Sequence, residues 1–85
     1  MRLEFTENFL DDYADLPSSL RVRVDKALRL LRTNLQHPGL RARKMRGRKE
    51  IWEGRVSKGY RFTFQIRGEV YVIRRVGPHC IEETP

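Results

Sequence analysis

The sequence predicts a small α+β domain with the order β-α-α-β-β-β, in which two helices pack on one face of an antiparallel-rich sheet and residues 1–85 form one domain. Three observations carry this prediction. Apolar residues keep three-and-four spacing through Leu20, Val24, Ala27, Leu28, Leu31 and Leu35. Strand-prone runs fill the stretch from Ile51 to Val76. Glycine-containing turns at Lys58-Gly59 and Arg67-Gly68 divide that stretch into three segments.

Each element has a local reason. Leu3 and Phe5 alternate with Arg2 and Glu4, which suits a short first strand. Thr6 offers a helix N-cap, Glu7 favours the positive end of the helix, and Phe5 and Leu10 fall at the positions of a hydrophobic staple. A helix from about Glu7 to Leu16 then carries Phe9, Leu10, Tyr13 and Leu16 on one face. Pro17 interrupts it and opens a second helix, near Pro17 to Ser19, that runs to about Leu35. Arg21, Asp25, Arg29 and Arg32 line the solvent side of this helix at i,i+4 spacing. His37, Pro38 and Gly39 stop it, His37 being read as a helix-end feature.

Residues 40–49 read as a basic loop anchored by Leu40, Ala42 and Met45. In the strands, Tyr60, Phe62, Phe64 and Ile66 form a core stripe beneath the helices, leaving Arg61, Thr63 and Gln65 on the open face. The same period sets Ile51, Glu53 and Arg55 against Trp52, Gly54 and Val56, so Arg55 and Arg61 share the open face. Trp52, Tyr13 and Tyr71 are read as core anchors. Neighbouring cations on a rigid sheet repel each other, and a phosphate-bearing partner relieves that repulsion.

The bulk composition narrows the function classes. Eighteen Lys and Arg against eleven Asp and Glu give a net charge of +7, which favours an anionic partner such as a nucleic acid or an acidic protein. No apolar run approaches membrane-spanning length and no signal-like segment follows Met1, so a cytoplasmic protein without membrane association is expected. Cys80 is the single cysteine, which excludes an intrachain disulfide and a cysteine-based metal cage, and the histidines lack ligand spacing. No cofactor is expected.

The "HPGLRARKMRG" loop, "IWEGRVSKGYRFTF" and the ending "VIRRVGPH", in that order behind a strand and paired helices, resemble the RelE/ParE superfamily of toxins from type II toxin–antitoxin pairs. The resemblance covers nearly the whole chain and implies a concave basic face. Its RelE branch implies a metal-independent endoribonuclease that cuts messenger RNA in the decoding site of the ribosome. Its ParE branch implies a DNA gyrase inhibitor instead, and a third alternative is a member that only binds its antitoxin. The implied partners are a cognate antitoxin, ribosome and mRNA, and operator DNA reached indirectly through the antitoxin.

Carried over by position, Arg61 of the "YR" strand resembles the transition-state phosphate ligand, Arg55 the basic residue of the preceding strand, and His79 the general acid. Glu53 stands where the best-known branch has lysine, and no tyrosine follows His79 in the sequence. Cleavage by the RNA's own 2′-hydroxyl needs a proton acceptor, charge stabilisation at phosphorus and a proton donor for the leaving oxygen, and it needs no protein nucleophile. Histidine suits the donor role and arginines suit the phosphoryl oxygens. Glu53 is read as base or as positioner of the arginines, an ordinary cross-strand ion pair being an equal alternative. Arg41, Arg43, Lys44, Arg46, Arg48, Lys49 and Lys58 are the expected RNA-binding residues.

Overall fold

A computed structural model describes residues 1–48, 50–78 and 84–85. Strand β1 (Arg2–Phe5) leads into helices α1 (Glu7–Ala14) and α2 (Ser18–Thr33), followed by strands β2 (Arg43–Lys44), β3 (Trp52–Ser57), β4 (Tyr60–Arg67) and β5 (Val70–Pro78). The sheet order is β1-β5-β4-β3-β2, with β1 parallel to β5 and every other pairing antiparallel. The basic segment is therefore not wholly a loop, since Arg43 and Lys44 add a fifth strand opposite Glu53 and Trp52. Among the described residues no helix is long and apolar enough to cross a membrane.

The helices start where their capping chemistry dictates. Thr6 sits in extended conformation and its Oγ1 accepts the Phe9 N–H at 3.1 Å. The expected staple differs in its partner: Phe5 stacks on Phe9 at 5.2 Å, and Leu10 is half exposed. Pro17 occupies the N-cap of α2, and Val24, Ala27, Leu28 and Leu31 are its buried stripe. Asp25, on the solvent side, accepts the Tyr13 hydroxyl at 2.8 Å and so ties α2 to α1. The two central hairpins turn through Lys58-Gly59 and Gly68-Glu69, Gly68 taking a positive φ of 60°.

Directly opposed residues of an antiparallel pair point to the same face. Trp52 faces Phe64 and Gly54 faces Phe62 across β3 and β4, and both phenylalanines are fully buried under the helices. Burying each contributes about 1.5–3 kcal/mol. Leu40 and Met45 are buried as expected of loop anchors, and Tyr71 is buried against Phe64 at 5.7 Å. Ile66 departs from the expected stripe: at the far end of β4 it is 38% exposed, beside a shallow hollow shared with Lys44 and Trp52.

The β4–β5 pairing is irregular at one point. Thr63 opposes Arg75 while Phe64 opposes Ile73, so Arg74 is an inserted residue. Strict alternation would send one of Arg74 and Arg75 into the core. The insertion lets Ile73 and Val76 both face the core, while Arg75 shares the face of Thr63 and Arg74 donates to Gln65 Oε1 at 3.0 Å. Beyond Ile73, strand β1 has ended and the outer edge of β5 needs other partners. Helix α1 and its cap supply them. The Thr6 hydroxyl donates to the Arg74 carbonyl at 2.6 Å, and the Val76 N–H donates to Asp12 Oδ2 at 3.2 Å.

Two outcomes are expected from this packing. A Cβ at Gly54 would lie 2.5 Å from the Phe62 ring, whereas one at Gly59 would meet nothing within 4 Å. Gly54→Ala should therefore cost about 1–3 kcal/mol in urea denaturation, and Gly59→Ala should leave the midpoint nearly unchanged. The hydrogen bond to Asp25, and then burial, raise the Tyr13 pKa above its ordinary range. Because the folded value is the higher one, this contribution is fully present below the unfolded pKa and is lost as pH rises through the folded value. Chemical unfolding across alkaline pH should show a steeper stability loss in the parent chain than in Tyr13→Phe.

Candidate functional site

The face of the sheet away from the helices presents two adjacent rows of cross-strand neighbours. One row holds Arg55, Arg61 and Gly77; the next holds Glu53, Thr63 and Arg75. Arg55 and Arg61 are direct partners, a relation that sets Cα atoms about 4.5–5.5 Å apart. Gly77, on the other side of Arg61, places no side chain beside it.

Arg61 is held without being neutralised. Its Nη1 donates to the carbonyls of Ser57 at 2.8 Å and Tyr60 at 3.0 Å, which folds the guanidinium against the hairpin end. Among the described residues, neither Arg55 nor Arg61 is joined to a carboxylate. Two half-buried guanidinium groups thus share one face with no carboxylate joined to either among the described residues, a condition that draws in an oxyanion.

Glu53 is positioned differently from these arginines. It is only 3% exposed, and Arg43 reaches across from β2 with Nε and Nη2 each 2.7 Å from Oε1. The ion pair foreseen for Glu53 is therefore made, with Arg43 and not with Arg55 or Arg61. Its Oε2 and the Oγ1 of the opposing Thr63 are buried with no hydrogen-bond partner among the described residues. The centre of this face is consequently closed. Thr63 has no exposure, and the buried Pro85 offers its carbonyl to Arg74 Nε at 3.1 Å.

The remaining expected residues divide between surface and margin. Arg41, Arg43, Lys44, Arg46, Arg48 and Lys58 are all exposed, and Lys44 Nζ lies 5.8 Å from the Trp52 ring. Arg48 meets Arg74 and Arg75 around a cleft of about 480 Å³. His79 and Lys49 lie outside the described residues; β5 ends at Pro78, opposite Tyr60. Among the described residues no group of His, Cys, Asp and Glu is arranged to hold a metal.

Sequence reading assigned no role to Arg74, Arg75 or Asp12. Arg75 makes a two-pronged contact with Asp12, Nε to Oδ2 at 2.8 Å and Nη2 to Oδ1 at 3.0 Å, joining the sheet face to α1. The available signal was the doublet of arginines between Ile73 and Val76, a break in alternation that calls for an inserted residue.

Removing Arg43 would leave the Glu53 carboxylate buried beside an already unpartnered Thr63 hydroxyl. Arg43→Ala is expected to cost about 1–3 kcal/mol in denaturant unfolding, and Glu53→Gln in the Arg43→Ala background should restore part of it. Equal losses in the single and double variants would mean that the pair does not hold this corner.

Comparison with known proteins follows the same architecture. No protein-family model matches the sequence, and none of the curated proteins matches it. Solved structures do. The RelB–RelE antitoxin–toxin complex from Methanococcus jannaschii matches with a TM-score of 0.77 and 19% identity over 95% of each chain. The YoeB/ParE toxin from Agrobacterium tumefaciens matches at 0.80 and 16%, over 93% of this chain and 99% of that one. The intact RelBE toxin–antitoxin complex of E. coli matches at 0.73 and 25%, over 91% and 94%. With two helices packed against a five-stranded mixed sheet, this chain has the fold of the RelE/ParE superfamily of toxins.

Proposed function

We infer that this chain is the toxin of a type II toxin–antitoxin pair and a metal-independent endoribonuclease that cuts messenger RNA on the ribosome. The observation that carries the reading is the opposed pair Arg55 and Arg61, neither joined to a carboxylate among the described residues. Such a pair suits the pentacoordinate phosphorus of an attacking 2′-hydroxyl, where negative charge spreads over the equatorial oxygens. In this reaction Arg61 is the principal ligand of those oxygens, because its guanidinium is already fastened to two backbone carbonyls and loses little freedom on binding. Arg55 is the second ligand.

His79 is assigned the general acid that protonates the leaving 5′-oxygen, on the strength of its position in the "VGPH" motif. Glu53 is assigned to positioning, and the proton of the attacking 2′-hydroxyl passes to solvent water. Its carboxylate is held by Arg43 and buried, so it orders the second row of the face beneath the reacting strand. The exposed basic residues of the β2 segment supply long-range attraction and phosphate contacts along the RNA. Two of the three solved structures named above are antitoxin–toxin complexes, which supports a cognate antitoxin as the resting partner in the cytoplasm. Operator DNA would be reached through that antitoxin.

Cleavage of message in a purified translation system should fall about 10²–10³-fold in Arg61→Ala, with Arg61→Lys recovering only part of the loss. His79→Ala should lower it as well. Unchanged cleavage in Arg61→Ala, or inhibition of gyrase supercoiling with messages left intact, would overturn the assignment; the second result would favour a gyrase poison. Expressed chain that neither cuts message nor inhibits gyrase would be a protein that only binds its antitoxin.

A further inference from the structure

A second basic site lies on the flank of α2. Residues Arg23, Lys26, Ala27 and Leu30 repeat at helical spacing along one side of the helix, and they form one wall of a crevice of about 200 Å³. The turn after α2 closes one end with His37 and Gly39, and Arg55 and Val56 of β3 close the other. Here the outer edge of β3, beyond its pairing with β2, is covered by Leu40, whose carbonyl accepts the Arg55 N–H at 2.6 Å.

The crevice gathers nitrogen donors, and no acid is among its described lining residues. Arg23 and Lys26 are joined to no carboxylate among the described residues. Asp25, the acid next to Lys26 in sequence, is engaged by the Tyr13 hydroxyl. His37 contributes a third donor by a local device. Its Nδ1 accepts the Gly39 N–H at 3.0 Å, so the neutral ring carries its proton on Nε2. The floor supplied by Ala27 and Leu30 is apolar and offers the anion no competing acceptor.

We propose that this crevice binds a phosphate group, with Arg23, Lys26 and His37 as its ligands. Donors contributed by both a helix and the turn that follows it suit a tetrahedral oxyanion better than a planar carboxylate with two oxygens. The group comes either from the backbone of a nucleic acid or from a free phosphate or nucleotide. Phosphate binding here does not require the opposite face of the sheet to cleave RNA.

The test uses the full chain, isotope-labelled for amide NMR, titrated separately with inorganic phosphate, acetate and a short 2′-O-methyl RNA oligomer that cannot be cleaved. Inorganic phosphate or the oligomer should shift the amides of His37 and Gly39, with acetate at least tenfold weaker. A response to the oligomer alone assigns the source to a nucleic-acid backbone, and a response to inorganic phosphate alone assigns it to a free phosphate. The double variant Arg23→Ala/Lys26→Ala replaces two exposed side chains, and an unaltered spectrum elsewhere would verify its fold. In it the affinity should drop tenfold or more, and the salt dependence of oligomer binding should flatten by about two contacts' worth of counterion release. No shift with either phosphate probe, acetate binding as tightly as phosphate, or undiminished affinity in the double variant would overturn the proposal.

Discussion

The strand β5 must present two apolar residues to the core and two arginines to the other face through the consecutive residues Ile73, Arg74, Arg75 and Val76. A regular strand cannot do this, because its side chains alternate strictly. One inserted residue resolves the conflict, and much of the molecule is arranged around it. Ile73 and Val76 both complete the core, Arg74 reaches Gln65, and Arg75 reaches out to Asp12. The backbone groups that the irregularity and the end of β1 leave unpaired are taken up by Thr6 and Asp12, so the helix cap and the first helix also seal a sheet edge.

That arrangement orders the charges of the sheet face by row. Along the row of Glu53, Thr63 and Arg75, the acid is matched by Arg43 and the arginine by Asp12. These contacts close the centre of the face and make it rigid. In the neighbouring row, Arg55 and Arg61, the Arg61 guanidinium is held by carbonyl oxygens, and neither arginine is joined to a carboxylate among the described residues. Carbonyls orient a cation while leaving its net charge available to a guest, whereas a carboxylate would cancel it. The contrast between a neutralised row and an uncompensated one distinguishes a scaffold from a binding surface on the same strands.

Much of this was legible before any coordinates. Thr6 as a cap, the stripe of α2, the two glycine turns and the burial of Phe62 and Phe64 all follow from local chemistry and periodicity. The sharing of one face by Arg55 and Arg61 was legible for the same reason. Other features were not. Ile66 keeps the period of the core stripe yet ends up partly exposed, because alternation states which face a residue takes and not what covers that face. The two-residue β2 has too little sequence to carry a period and exists through its pairing with β3.

The sequence by itself determined the order of elements other than β2, their approximate starts and stops, the face of most strand residues outside the irregularity, and the excess of positive charge. These depend on interactions within a few residues, or on sums over composition. The tertiary structure alone decided which charges meet: Glu53 with Arg43, Arg75 with Asp12 across 63 positions of chain, and Arg55 and Arg61 with no acid among the described residues. An ion pair depends on distances of a few ångströms between groups far apart in sequence. No periodicity encodes those distances; they appear only when the helices and the sheet are packed together.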